Sequence, residues 1–150
     1  MRAILLGLAA LALTTAADAA TPPAKASFEV RLIVACKPGE ATLALIGSNE
    51  ELCLAKDKVL DGSDIIRVDR YPTVPKAVIE ITQAAADRLF EVTSTGDGEQ
   101  RLGFVFNGKL IFAPYVGSPI KIKQLPLTLK NDPDDIDALV AAFPGDMAAK

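Results

Sequence analysis

The stretch Arg101-Leu102-Gly103-Phe104-Val105-Phe106-Asn107-Gly108-Lys109-Leu110-Ile111-Phe112-Ala113-Pro114 carries the strongest fold signal in the chain. Asn107 and Gly108 tolerate positive φ, and an Asn-Gly pair between apolar runs is the signature of a tight hairpin. A two-residue turn pairs Phe106 with Lys109, Phe104 with Ile111 and Leu102 with Ala113 on one face. Gly103, Val105, Leu110 and Phe112 then share the other face, with Gly103 opposite Phe112. Both faces are largely apolar. The hairpin is therefore either central in a two-sided fold or has one face offered to a partner.

Working outward, Phe28–Val34 starts with period-two alternation and is rich in β-branched residues, which predicts a strand. Lys37-Pro38-Gly39-Glu40 breaks it. Leu43–Ile46 reads equally as a short strand or a turn. Glu51–Ala55 is a weak strand, Asp61-Gly62-Ser63-Asp64 a turn that can open one helical turn, and Ile65–Tyr71 a strand. Pro72 and Pro75 bracket a loop before a strong strand at Ala77–Ile81. Thr82 is a good helix cap. Ala85, Ala86, Leu89 and Phe90 follow at helical spacing, predicting a helix over 83–93. Pro119–Leu129 alternates apolar residues with Lys121 and Lys123 and is interrupted at Pro126. Asp132 caps a last helix with Pro133 in its first position and Asp134 and Asp135 in its first turn. Ile136, Leu139, Val140 and Phe143 form its stripe. Two helices among hairpin-connected strands imply an α+β fold, a mainly antiparallel sheet with about two helices packed on one face.

Residues 1–19 have the form of an export signal. Arg2 leads an apolar run from Ala3 to Leu13, and Ala17-Asp18-Ala19 supplies small residues for cleavage near Ala19–Ala20. The run is too short to span a membrane, which takes about 20 residues. Cleavage leaves 131 of the 150 residues and, with Arg2 and Asp18 both removed, the net charge stays at −3. The expected organisation is a signal peptide at 1–19, a linker at 20–27, a folded domain at 28–143 and a flexible tail at 144–150. The expected location is periplasmic or secreted, with no membrane span after cleavage.

An oxidising compartment permits disulfides. Cys36 and Cys53 are the two cysteines, so one intramolecular bond accounts for both. Closing the loop 37–52 is worth roughly 3 kcal/mol in the chain-entropy model. The chain has no His and no Trp. That excludes His-based acid-base catalysis and imidazole metal sites. An acidic chain is also a poor nucleic-acid binder. Asp132, Asp134, Asp135 and Asp137 lack the Gly and Glu of a calcium loop and read as helix-terminus acids. Asp61 and Asp64 read as turn and cap residues, and Lys121, Lys123 and Lys130 as a solvated strand face. No catalytic residue, metal site or cofactor is expected. Tyr71 and Tyr115 sit beside Pro72 and Pro114 at loop entries. With Phe112 they are the candidate contact residues for a partner.

Four segments carry a family resemblance. Leu54–Ile65, Ala77–Thr82 with Ala85, Phe90 and Thr93, the hairpin Arg101–Pro114 and the helix Asp134–Val140 together resemble the head subdomain of the first periplasmic domain of SecD and SecDF. The resemblance covers about residues 28–143. It implies an α+β head that engages polypeptide outside the membrane. Two departures stand out: a single glycine, Gly117, follows Ala113-Pro114, and the cysteine pair is foreign to the family pattern. The function expected is a non-catalytic protein- or peptide-binding module linked to protein export or envelope protein handling. A structural or inhibitory envelope domain is the alternative, and a carboxylate-dependent hydrolase a more distant one. Thiol titration of the denatured, unreduced protein is expected to find no free thiol. Two free thiols would reject the bond.

Overall fold

A computed structural model describes residues 26–71, 76–96, 98–129 and 133–144. The signal, most of the linker, the Pro72 and Pro75 loop, Asp97, Lys130, the Asp132 cap and residues 145–150 lie outside the described residues. The strands are β1 (Phe28–Val34), β2 (Leu43–Ala44), β3 (Glu51–Asp61), β4 (Ile65–Arg70), β5 (Lys76–Ile81), β6 (Leu102–Phe106), β7 (Lys109–Phe112) and β8 (Gln124–Thr128). The helices are α1 (Gln83–Ser94) and α2 (Pro133–Ala142), and Gly62–Asp64 forms one 3-10 turn.

The class is α+β, and every strand pair is antiparallel. The strands form two sheets rather than one, in the orders β2-β3-β1-β6-β7 and β4-β5-β8. The larger sheet curls until its edges meet. Ile46 N–H donates to Leu110 C=O at 3.0 Å, and Leu45 and Leu110 form a parallel bridge. The result is a small barrel closed at one point of its seam.

Alternation gives the larger sheet two apolar faces. Phe28, Val30, Leu102, Phe104 and Phe106 face the main core, shared with Ile79, Ile81, Leu125 and Leu127 of the smaller sheet and with Leu89, Ile136 and Leu139 of the helices. The opposite face lines the barrel interior. A Cβ on Gly103 would lie 2.6 Å from Leu54 Cδ2, 3.1 Å from Leu110 Cδ1 and 3.4 Å from Ile33 Cγ1. Four strands thus converge on a space with no room for a side chain on β6.

The hairpin turn forms at Asn107 (φ 48°) and Gly108 (φ 78°). Asn107 is also tied to the chain entering β1. Its side-chain carbonyl accepts from Ser27 N–H at 3.0 Å, and its own N–H donates to Ser27 C=O at 2.9 Å. The register departs from expectation after two pairs. Phe106 opposes Lys109 and Val105 opposes Leu110, but Phe104 then opposes Phe112, not Ile111. Ile111 is the extra residue of a β-bulge, which lets Ile111 enter the main core while Leu110 fills the barrel.

Other differences have local causes. β3 runs six residues beyond the predicted Ala55, through an irregular stretch where Arg31 donates to the carbonyls of Ala55 and Lys56 at 3.3 and 3.2 Å. Leu43–Ile46 is both strand and turn. The strand expected over 119–129 is confined to Gln124–Thr128, so Lys121 and Lys123 are exposed on the preceding loop and form no strand face. Pro126 does not break β8. It pairs with Val78 on an edge strand, where a missing N–H costs no ladder bond. Phe90 lies at the helix margin, 37% exposed, beneath the Lys121 ammonium. Thr82 caps α1 by accepting from Ala85 N–H, and buried Thr93 Oγ1 accepts from Ile120 N–H at 2.9 Å, pinning the loop before β8.

Filling the space at Gly103 tests the barrel. Gly103→Val should cost about 1–3 kcal/mol in a denaturant melt by overpacking, and Leu54→Ala in the same chain should recover part of the loss. A Gly103→Val protein as stable as the parent would contradict the closed interior.

Candidate functional site

The barrel seam opens just past the Leu110 bond. Ile111, Phe112 and Ala113 continue along one side, the turn Leu45-Ile46-Gly47-Ser48 diverges along the other, and Thr128 at the end of β8 closes the floor. The groove between them measures about 260 Å³. Its lining holds apolar side chains, two hydroxyls and no ionisable group. Phe112 is half-buried, its ring 5.6 Å from that of Phe104, so one face rests on the core.

Arg101 braces the groove beside Ala113. Its Nε and Nη2 donate to Ala113 C=O at 3.2 and 3.0 Å, and its Nη1 and Nη2 donate to the two Glu50 carboxylate oxygens at 2.6 and 3.2 Å. Tyr115, 70% exposed, lies with its ring centroid 4.7 Å from the guanidinium carbon. One planar cation thus joins the turn before β3 to the end of β7. Such a fork suits Arg and not Lys, which has no second donor plane.

The structure divides the candidate contact residues. Phe112 lines the groove, and Tyr115 follows three residues on, against the Arg101 brace. Tyr71, half exposed, lies on the smaller sheet and lines a separate hollow with Asp69, Arg70, Val78 and Gln124. Asn107 and Gly108 shape the hairpin turn and do not line the groove. Cys36 and Cys53 are joined in a disulfide with Cα atoms 5.2 Å apart. Leu45–Ser48, the second wall, escaped sequence reasoning because a run this short has no decisive period.

Many of the described acids are taken up by caps and cations: Asp69 and Glu80 share Arg67, with its Nε at 3.2 and 2.7 Å. Asp61 and Asp64 form a reciprocal capping box around the 3-10 turn. Asp137 pairs with Arg70, and Lys109 Nζ lies 3.9 Å from Asp135. Among the described residues no cluster of three or more Cys, Asp or Glu is arranged to hold a metal.

No protein-family model matches the chain, and no curated protein matches it. Solved structures do. One is SecDF, described as a membrane component that enhances protein export. It matches with a TM-score of 0.59 and 18% identity, over 79% of this chain and 61% of that one. Another is SecDF in its super-membrane-facing form, with a TM-score of 0.59 and 19% identity, over 79% of this chain and 18% of that one. The fold is SecDF-like. At this identity the similarity is one of fold, and this chain spans less than two thirds of each SecDF chain. Among the described residues no helix is long and apolar enough to cross a membrane.

Three carboxylates give the SecDF-like fold an acid limit. The Arg101 hydrogen bonds hold Glu50 below its ordinary 4.5. Burial alone would raise Glu29, but hydrogen bonds from Lys58 and Arg31 outweigh it and leave the group below 4.5. Hydrogen bonds from the Ser63 side chain and backbone hold Asp61 below 3.8. In each case the unfolded chain binds the proton more readily, so the stabilisation is complete above the unfolded value. It fades as pH falls through the folded one. Urea melts between about pH 3 and 7 should show stability level in the upper part of the range and declining below about 4.5. The decline should be shallower in Glu29→Gln and Glu50→Gln.

Proposed function

We propose that this chain is an exported, non-catalytic module that binds protein or peptide in the groove beside Phe112, in the service of protein export or envelope protein handling. One observation carries the reading: a SecDF-like fold bears an open apolar groove with no ionisable group in its lining. Apolar walls next to a strand end suit side chains of varied sequence, because hydrophobic contact is non-directional. Ser48 and Thr128 supply hydroxyls without an acid or base in the lining to activate them, which favours contact over chemistry. The disulfide supports an oxidising location. The likeness in fold to SecDF, a component that enhances protein export, supports a role in export.

Site-specific photo-crosslinking in the exporting host tests the reading. A crosslinker at position 115 or 112 should capture polypeptide, while one at position 71, on the other sheet, should capture far less. In vitro, Phe112→Ala should weaken binding of a labelled unfolded polypeptide by about tenfold, the effect of removing an aromatic anchor. Absence of capture from both groove positions, with the protein expressed and folded, would reject the proposal. Equal capture at all three positions would move the site elsewhere.

A further inference from the structure

The groove's two walls are held in different ways. Ile111, Phe112 and Ala113 belong to a hairpin whose strand β6 is hydrogen-bonded to β1 and buried along its whole length. The opposite wall rides on residues 37–52, which the disulfide encloses. From Ala35 to Leu52 no residue is buried. Much of the backbone bonding of this segment is within itself: Glu40 N–H to Lys37 C=O, Leu45 N–H to Glu50 C=O, and Ser48 N–H to Leu45 C=O. Its links to the barrel include Ile46 N–H on Leu110 C=O, Glu50 on Arg101 and the partly buried Ile46 side chain against the core. Ile46 is its one side chain packed against the core, and that one is only partly buried, so its position also draws on those bonds, on the β1–β3 pairing of Val34 with Cys53 and on the covalent link beside it.

The two sulfurs differ in access. Cys53 lies within β3 with no exposed surface, whereas Cys36 lies beyond the end of β1 and is exposed. A reductant therefore has one sulfur to attack.

We propose that the Cys36–Cys53 bond is a redox latch on the barrel seam: a dithiol reductant releases residues 37–52, opens the Leu45–Ser48 wall of the groove and leaves the remaining fold intact. The step is thiol–disulfide exchange. The incoming thiolate forms a bond to Cys36 Sγ as the Cys36–Cys53 bond breaks, and the electron pair passes to Cys53 Sγ, which takes up a proton. The second thiol of the reductant then displaces Cys36, so two protein thiols and one oxidised reductant result. Without the link, the β1–β3 pairing of Val34 with Cys53 still closes the base, but Cys36 and the residues after it lose their covalent tie, and the seam bond at Leu110 loses that support. The Leu110 carbonyl is then freed, which lengthens the open outer edge of β7 beside the groove. The fully buried residues of the main core all lie outside the released segment, and Ile46 is the one residue of that segment packed against them, so most of the core packing is independent of the latch.

Hydrogen exchange read by mass spectrometry, on oxidised protein and on protein held in dithiothreitol, tests this without reference to any polypeptide partner. Amides of residues 37–52 should exchange at least about tenfold faster after reduction, while α1, β5 and β8 keep their protection. Reoxidation should restore the first pattern, and Cys36→Ser with Cys53→Ser should reproduce the reduced one. A short pulse of glutathione, followed by peptide mapping, should place the mixed disulfide on Cys36. Unchanged exchange on reduction would overturn the latch, because the seam would hold without the bond. Protection lost evenly across the chain would also overturn it, making the bond a global staple. A mixed disulfide found on Cys53 would overturn the assigned direction of attack.

Discussion

Five strands close on themselves in this protein because β6 carries no side chain where Leu54, Leu110 and Ile33 meet. A barrel this small has an interior only as wide as the side chains that fill it. Gly103 supplies the missing volume, and much else follows from the closure. β6 must be buried on both faces, since one looks into the barrel and the other into the main core. β7 must bulge at Ile111, so that Leu110 can fill the interior while the next residues serve the core. The edges that meet at Leu110 must part again where the bulged strand turns away, and that parting is the groove.

Closure also sets the electrostatics. Glu29 and Arg31 occupy the same face of β1 as Ile33, beside the barrel interior, and cannot be left unpaired when half-buried. Arg31 therefore bonds Glu29 and two carbonyls of β3, and Lys58 adds a second cation at 2.9 Å from Glu29. At the other end of the barrel Arg101 does the corresponding work, holding Glu50 and the Ala113 carbonyl at once. Partly buried charges of this kind contribute more to geometry than to net stability, because desolvation offsets much of the Coulomb gain. Their effect is to fix where the strand ends lie relative to one another.

The main elements were legible where local chemistry agrees with the tertiary fold. The Asn107-Gly108 turn, the Thr82 cap and the apolar stripes of both helices are each dictated within a few residues. The hairpin register was not, because the bulge at Ile111 answers to two different cores, and no local signal encodes both. Lys56, Asp57 and Lys58 disguised the second half of β3: they are poor strand formers, kept in the strand by Arg31 from across the sheet. Pro126 misled in the opposite sense, since a proline is harmful only where its N–H would have bonded inward. The split into two sheets was invisible for the same reason. Strand order is a long-range property, and neither alternation nor turn chemistry reports it.

The groove was half legible. Phe112 and Tyr115 drew attention as apolar or aromatic residues at a hairpin end, but their partner wall at Leu45–Ser48 has no periodicity to read. Its position comes from sheet closure and from the bond between Cys36 and Cys53. A contact surface assembled this way joins a rigid face to an adjustable one. The β7 face, backed by Phe104, presents the same apolar surface whatever arrives. The opposite face has no fully buried side chain and is held by fewer contacts, Ile46 against the core and the bond to Leu110 among them. A groove rigid on both sides would admit one shape of side chain, whereas one with an adjustable wall admits several.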